Sequence, residues 1–228
     1  MSTITDLSLL RLMQLSSASL PVGGYSFSQG LEYAVDSGWI NNQQQTAEWV
    51  SLTMFESIAK VDLPLLFRLM DALKESSATD FYQWNATVLA CRETDELLLT
   101  ETAMGDALLR LLKNLTITFP EKPETIANQQ ISFIAMFAVA ANHWAIEKNK
   151  AAVGYLWSWL ENQVAAATKL VPLGQTSAQQ LLVELGESIA TLVTIAEQCK
   201  DDDIGSSLPG LAMASSWHET QYSRLFRS

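Results

Sequence analysis

The sequence predicts an all-α protein: a single helical-bundle-like domain of roughly eight to ten helices, with a flexible C-terminal tail. Three observations lead there. Apolar residues recur at helical spacing along most of the 228-residue chain. No stretch of several residues alternates apolar and polar side chains as a half-buried strand would. The composition, 48% hydrophobic and 17% charged, suits a globular chain able to bury a substantial core without disulfides or metal.

The elements follow in order. Leu7, Leu10, Met13 and Leu15 mark a first helix, stopped by Ser16 to Leu20 and Pro21. The stretch LPVGGYSFSQGLE, residues 20–32, is then a tight reversal. Gly23 and Gly24 allow positive φ, and Ser26 or Ser28 can cap a short second helix that Gly38 closes. In the third helix Val50, Met54 and Ile58 share one face. Asp62 is the expected N-cap of a fourth, with Pro64 in its first turn. FYQWNATVLAC gives the next, and RETDELLLTETAMGDALLRLLKNL another, with Leu97, Met104, Leu108 and Leu111 on one face. TITFPEKPE, with two prolines, is a connection. The apolar run ISFIAMFAVAANHWAI is too short to span a bilayer and reads as a buried helix. KAAVGYLWSWLENQVAAATKL, a turn at VPLG, and a helix capped by Thr176 and Gln179 complete the bundle; Leu182, Leu185, Ile189, Leu192 and Ala196 line its last stripe. The expected organisation is a domain over 1–200, a flexible linker over 201–216, and a partner-binding tail over 217–228.

Charge excludes several functions. The net charge is −11, and no lysine or arginine occurs between Arg11 and Lys60. Nucleic-acid binding needs a basic stripe and an anionic membrane needs a basic patch; neither exists here. Cys91 and Cys199 lie far apart without ligand spacing, which suits a reduced, cytoplasmic chain. The N-terminus lacks the pattern of a signal peptide.

Candidate chemistry is sparse. The opening loop has neither GxxxxGK[ST] nor GxGxxG, and no nearby cation to hold a phosphate. The only histidines are His143 and His218; His143, on the apolar helix, reads as a core or interface residue, and only Glu219 adjoins His218. No metal site is expected from such spacing. RETDE, residues 92–96, reads as a solvated helix start whose acids suit the dipole. No catalytic residue or cofactor is expected. The tail is more pointed: QYSRLFRS interleaves Tyr222, Leu225 and Phe226 with Arg224 and Arg227 in an otherwise acidic chain, the residue types that anchor interfaces. Tyr25 and Phe27 pack into the core or face a partner; the residues alone leave both open.

Three separated motifs, LPVGGYSFSQGLEYAVDSGWI, KLVPLGQTSAQQLL and HETQYSRLFRS, resemble the urease accessory protein UreF family, and RETDELLLTETAMGDALLRLL is also similar. The resemblance spans nearly the whole chain. Trp217, where a basic residue is expected, and the DDD run at 201–203 depart from it. The resemblance implies an all-α, cytoplasmic homodimer without catalysis of its own. Its implied partners are UreD (UreH in some systems), the GTPase UreG and, through them, apo-urease receiving nickel. It maps a partner-contacting segment onto His218, Glu219, Gln221, Tyr222, Arg224, Leu225, Phe226 and Arg227, with Arg224 foremost. Tyr33 and Lys169 are implied on the GTPase-facing surface. An alternative role is direct stimulation of GTP hydrolysis by Arg224 or Arg227 acting in trans.

Overall fold

The helical spacing is realised as eleven α-helices over the described residues, 6–121 and 129–227, of a computed structural model. They are α1 (Asp6–Leu15), α2 (Leu31–Asp36), α3 (Gln43–Thr53), α4 (Leu63–Lys74), α5 (Ala78–Ala90), α6 (Asp95–Asn114), α7 (Phe133–His143), α8 (Lys148–Leu170), α9 (Gln175–Gly186), α10 (Ile189–Gln198) and α11 (Pro209–His218). No strand occurs among the described residues.

Helix α7 sits at the centre because it is apolar on every side: all of Phe133 to Ala141 is buried. Helices α4, α6 and α8 pack around it, α5 lies on α4, and α9 lies on α8. Of the core and interface alternatives for His143, the core is excluded: it is exposed at the end of α7, where the polar Asn142–His143 pair turns outward. Val50, Met54 and Ile58 are buried together, and so are Leu185, Ile189, Leu192 and Ala196 on α9 and α10. The connection after α6 is non-helical over residues 116–121; residues 122–124 of that segment lie outside the described residues.

Several local expectations are corrected. On α1 the buried residues are Ser8, Leu12 and Leu15, whereas Leu7, Leu10 and Met13 face outward. Gly154 on α8 lets the buried face come close, since a Cβ there would collide with Leu12 and Ser16. Asp62 is not a cap. A π-helical segment, Met54–Asp62, joins α3 to α4 without a break, and the Asp62 carboxylate points inward. Gly205 N–H donates to the carbonyl of Lys60 at 3.4 Å, four residues before Pro64, whose ring nitrogen has no hydrogen to offer it. On α6 the face turned inward carries Glu96, Thr100, Glu101, Gly105, Leu108 and Leu112, about one position away from the expected leucine stripe. Helix α9 begins after Gly174 with no side-chain cap, so Thr176 and Gln179 do not form a capping box.

The opening loop reverses at Gly23 (φ 78°), makes a short 3₁₀ turn, and enters α2 at Gly30 (φ 80°). Neither Ser26 nor Ser28 caps that helix. Gly30 has a second reason to be glycine: its Cβ would stand 3.0 Å from the Ser215 backbone nitrogen of α11. Helix α2 ends as predicted at Gly38, with Trp39 N–H on the Ala34 carbonyl and Gly38 N–H on that of Val35, a Schellman closure.

Residues 201–216, expected as a linker, carry a 3₁₀ turn at Asp201–Asp203 and most of α11, so the boundary drawn at 216/217 falls inside a helix. Pro209 stands at its first turn, and Leu211, Ala214, Ser215 and His218 form its buried stripe. A second, smaller core gathers here from Leu31, Ala34, Ile40, Ala166, Ala167, Val171, Ala214 and Phe226.

Helices α6 and α7 meet at Gly105, where a Cβ would strike the Ile131 carbonyl and stand 2.8 Å from the Ser132 carbonyl carbon. The obstacle is backbone and cannot swing aside. Gly105→Ala is expected to destabilise the fold by about 1–3 kcal/mol, read as a lower urea midpoint. An unchanged midpoint would refute the close contact.

Candidate functional site

The tail, the opening loop, α2 and the end of α8 converge on one face. Glu32, in the first turn of α2, is buried and holds three donors. Leu225 N–H donates to its Oε1 at 2.6 Å, Phe226 N–H to its Oε2 at 2.9 Å, and His218 Nε2 lies 2.9 Å from the same Oε2. His218 Nδ1 lies 3.0 Å from Glu96 Oε2. Glu96 Oε1 accepts from Gly30 N–H at 3.2 Å, and Glu96 N–H donates to Glu219 Oε1 at 3.0 Å. A hydroxyl contact between Thr94 and Ser215, 2.8 Å, closes the α6–α11 junction. The Glu32–His218–Glu96 cluster therefore ties α2, α6, α11 and the tail together. Burial works against a charge on His218, but hydrogen bonding and charge from Glu96, then Glu32, outweigh it and raise the imidazole above its ordinary value.

Beyond His218 the chain lies back on the fold. Arg227 N–H donates to the Ser26 carbonyl at 2.7 Å, so the C-terminus and the opening loop share a hydrogen bond. Phe226 is buried, with the Lys169 ammonium 5.2 Å from its ring centroid. A groove of about 440 Å³ runs along this junction, lined by Tyr25, Ser26, Lys169 and residues 224–227. Its lining holds three cations and no carboxylate, in a chain of net charge −11. Beside α11, Tyr33 and Trp217 pack with centroids 5.4 Å apart, and Trp39 and Trp49 extend the aromatic cluster.

The residues singled out in the sequence thus separate by position. Tyr25, Tyr222, Arg224, Leu225, Arg227 and Lys169 are exposed, and all but Tyr222 border the groove. Tyr33 is half-buried in the aromatic cluster on the other flank. Phe27 settles the open alternative by lying in the core, while Tyr25 faces outward. His218 and Phe226 are buried, and Glu219 is half-buried with its carboxylate on α6. Gln221 turns back on the Ser223 carbonyl. The sequence reasoning missed Glu32 and Glu96. RETDE is solvated only in part: Glu93 and Asp95 are exposed, but Glu96 is 1% exposed and the Arg92 side chain 10%.

Arg92 belongs to a second interior cluster. Its guanidinium donates to Asp62 Oδ1 and Glu101 Oε2, each at 2.8 Å, and Tyr155 donates to Asp62 Oδ2 at 2.9 Å. Glu101 Oε1 accepts Ile134 N–H at 3.0 Å, the first turn of α7. Burial opposes the Arg92 charge, but Asp62 and Glu101 raise it further above its ordinary value; burial pushes the Glu101 carboxyl up and the Tyr155 hydroxyl well up. This cluster borders a cavity of about 160 Å³ between the π-helical segment, α6 and α8. Among the described residues, no group of three or more His, Cys, Asp or Glu side chains is placed to hold a metal ion, and no helix is long and apolar enough to cross a membrane.

Comparison with known proteins places the geometry in context. The UreF family model matches residues 40–186. The urease accessory protein UreF of Marinomonas sp. is 52% identical over 98% of this chain and 96% of its own length. Those of Alkalilimnicola ehrlichii and Hahella chejuensis are 45% and 44% identical, covering 100% and 97% of this chain and 100% and 99% of their own lengths.

The interior cluster makes a sharp prediction. Arg92→Met strands the Asp62 and Glu101 carboxylates in the core and is expected to cost about 3–5 kcal/mol in chemical denaturation. Removing Glu101 as well, as Arg92→Met with Glu101→Leu, should recover part of that loss. A small single-variant effect would mean the pair is not the internal tie described.

Proposed function

Because the chain belongs to the UreF family of urease accessory proteins, we propose that it is a non-catalytic cytoplasmic scaffold for urease maturation. In this role it joins UreD (or UreH) and the GTPase UreG, governs GTP use by UreG, and acts as a homodimer in delivering nickel to apo-urease. Nickel is cargo in this role, carried through the assembly.

The observation that carries the reading is the groove beside the tail. Lys169, Arg224 and Arg227 border it, and none of the three pairs with a carboxylate among the described residues. Unpaired cations gathered at one place on an acidic chain favour a partner with an acidic face, because they steer its approach and can pair with its carboxylates beside the apolar Tyr25 and Leu225. Arg224, Leu225, Arg227, Tyr222, Lys169, Tyr25 and Tyr33 are the proposed contacting side chains. Phe27, Phe226, His218, Glu219 and Gln221 would then act by holding the surface in shape.

Arg224→Ala tests this directly. The side chain is exposed and its one hydrogen bond, to the Glu219 carbonyl, is long at 3.5 Å, so folding should be unaffected. Capture of UreG by the complex with UreD is expected to weaken about tenfold or more, roughly 1.4 kcal/mol, with urease activation falling alongside. Unchanged capture would overturn the groove as the contact. The same unpaired arginines favour a second reading, an arginine supplied in trans to the GTPase. Hydrolysis by UreG should then rise by orders of magnitude when this chain is added and collapse with Arg224→Ala or Arg227→Ala. No stimulation leaves the gating scaffold.

A further inference from the structure

His218 has two ring nitrogens and each faces a carboxylate oxygen, Glu96 Oε2 at 3.0 Å and Glu32 Oε2 at 2.9 Å. A neutral imidazole carries one N–H and one lone pair, so it can donate to only one of them. With both carboxylates ionised, the arrangement requires imidazolium. We propose that the Glu32–His218–Glu96 cluster is a proton-dependent latch: imidazolium at His218 keeps the C-terminal segment docked, and its deprotonation on the alkaline side releases residues 220–227.

The release falls on the tail for a geometric reason. Without the proton, a lone pair faces a carboxylate oxygen across 2.9–3.0 Å, and two buried carboxylates share no cation. Glu96 cannot escape. It is buried in α6, accepts Gly30 N–H, and its own backbone N–H holds Glu219. Glu32 differs, because two of its three donors, the Leu225 and Phe226 amides, belong to the chain terminus. Water can reach Glu32 once those amides leave. What remains against release is Phe226 in the small core, Lys169 over its ring, and Arg227 N–H on Ser26.

The charged groups around the imidazole support one sign. From α2 comes Glu32, with Asp36 exposed further along; from α6 comes Glu96, with Asp95 exposed beside it. From the chain after α11 comes Glu219, with the Arg224 guanidinium on its carbonyl, and Arg92 and Glu93 line the groove next to Glu219. The imidazole's own partners are carboxylates alone, which favours the proton against the cost of burial. A folded-state value raised above the ordinary histidine value, about 6.5, gives docking that is complete below that value. It is lost as pH rises through the raised one.

Magnetic resonance on the full chain tests the latch. Only two histidines exist, and His143 is exposed, so His143→Gln assigns the two imidazole signals. The Leu225, Phe226 and Arg227 amides report docking. His218 is expected to titrate above the ordinary histidine value, and the three tail amides to shift and lose exchange protection with the His218 midpoint while the helical amides stay in place. Glu96→Gln keeps the shape but weakens the counter-charge. It should lower the proton affinity of His218 by the order of tenfold and move the tail transition with it. Tail amides that stay unshifted through the His218 titration overturn the proposal, as does a His218 that titrates below the ordinary histidine value or a tail transition with a different midpoint. Should Glu96→Gln fail to fold, the wild-type midpoints decide alone. The outcome is independent of any partner, so it separates the latch from the scaffold role.

Discussion

A positive imidazole placed between two buried carboxylates constrains much of this molecule. Burying three ionisable groups costs free energy unless their charges and hydrogen bonds are matched, and here each carboxylate oxygen of Glu32 and Glu96 has a donor. The match demands that α2, α6, α11 and the chain terminus stand in one arrangement. Gly30 has to lack a side chain so that α11 comes close enough, and its amide has to point at Glu96. The opening loop is held in turn, through Arg227 on Ser26 and through Trp159 and Gln163 on the Gln29 side chain. Residues 26–32 and 218–227 are thus one structural unit.

A second interior cluster repeats the device with different chemistry. Arg92 bridges Asp62 and Glu101, Tyr155 binds Asp62, and Glu101 caps α7 at the Ile134 amide. An Asp62 that faces inward needs the long helix from α3 to α4 to turn its register by a fraction of a residue, which a π-helical segment supplies. Apolar packing around α7 would tolerate small rotations of its neighbours; a guanidinium with two fixed acceptors does not. Both polar clusters grip the N-terminal half of α6, through Arg92 just before it and Glu96 and Glu101 within it, so the register of α6 is fixed at its start.

The sequence made the helices legible, and the interior polar chemistry largely illegible. Leu185, Ile189, Leu192 and Ala196 announced their stripe because apolar side chains at helical spacing have one common explanation. Glu32, Glu96, Arg92 and Glu101 did not, because a charged residue in or beside a helix looks the same in sequence whether water, an imidazole or a counter-ion faces it. On α1 the leucines were visible and misplaced, since the glycine on α8 that lets the buried face come close lies about 140 residues away. Helix α11 was hidden for a different reason. Its buried stripe is Leu211, Ala214, Ser215 and His218, all but one of them polar or small, beside a run of glycine and serine that reads as linker. The family motifs located the tail as a surface without saying which of its residues face inward.

That division within the tail bears on how its contribution to assembly is understood. His218 and Phe226 are interior residues whose loss disturbs α2, α6 and the small core, whereas Arg224, Leu225 and Arg227 are held outward by the same docking. A truncation that begins at His218 removes the imidazole from both carboxylates and the two tail amides from Glu32, so a lost interaction would have a folding explanation. One that begins after Thr220 keeps the cation between the carboxylates and removes the outward side chains, although it also takes Phe226 from the small core. Substitutions confined to Arg224 or Arg227 change the surface alone. The ordering of these changes follows from one fact: the tail's outward cations are presented by a backbone that Glu32 holds, and Glu32 holds it alongside a charged histidine.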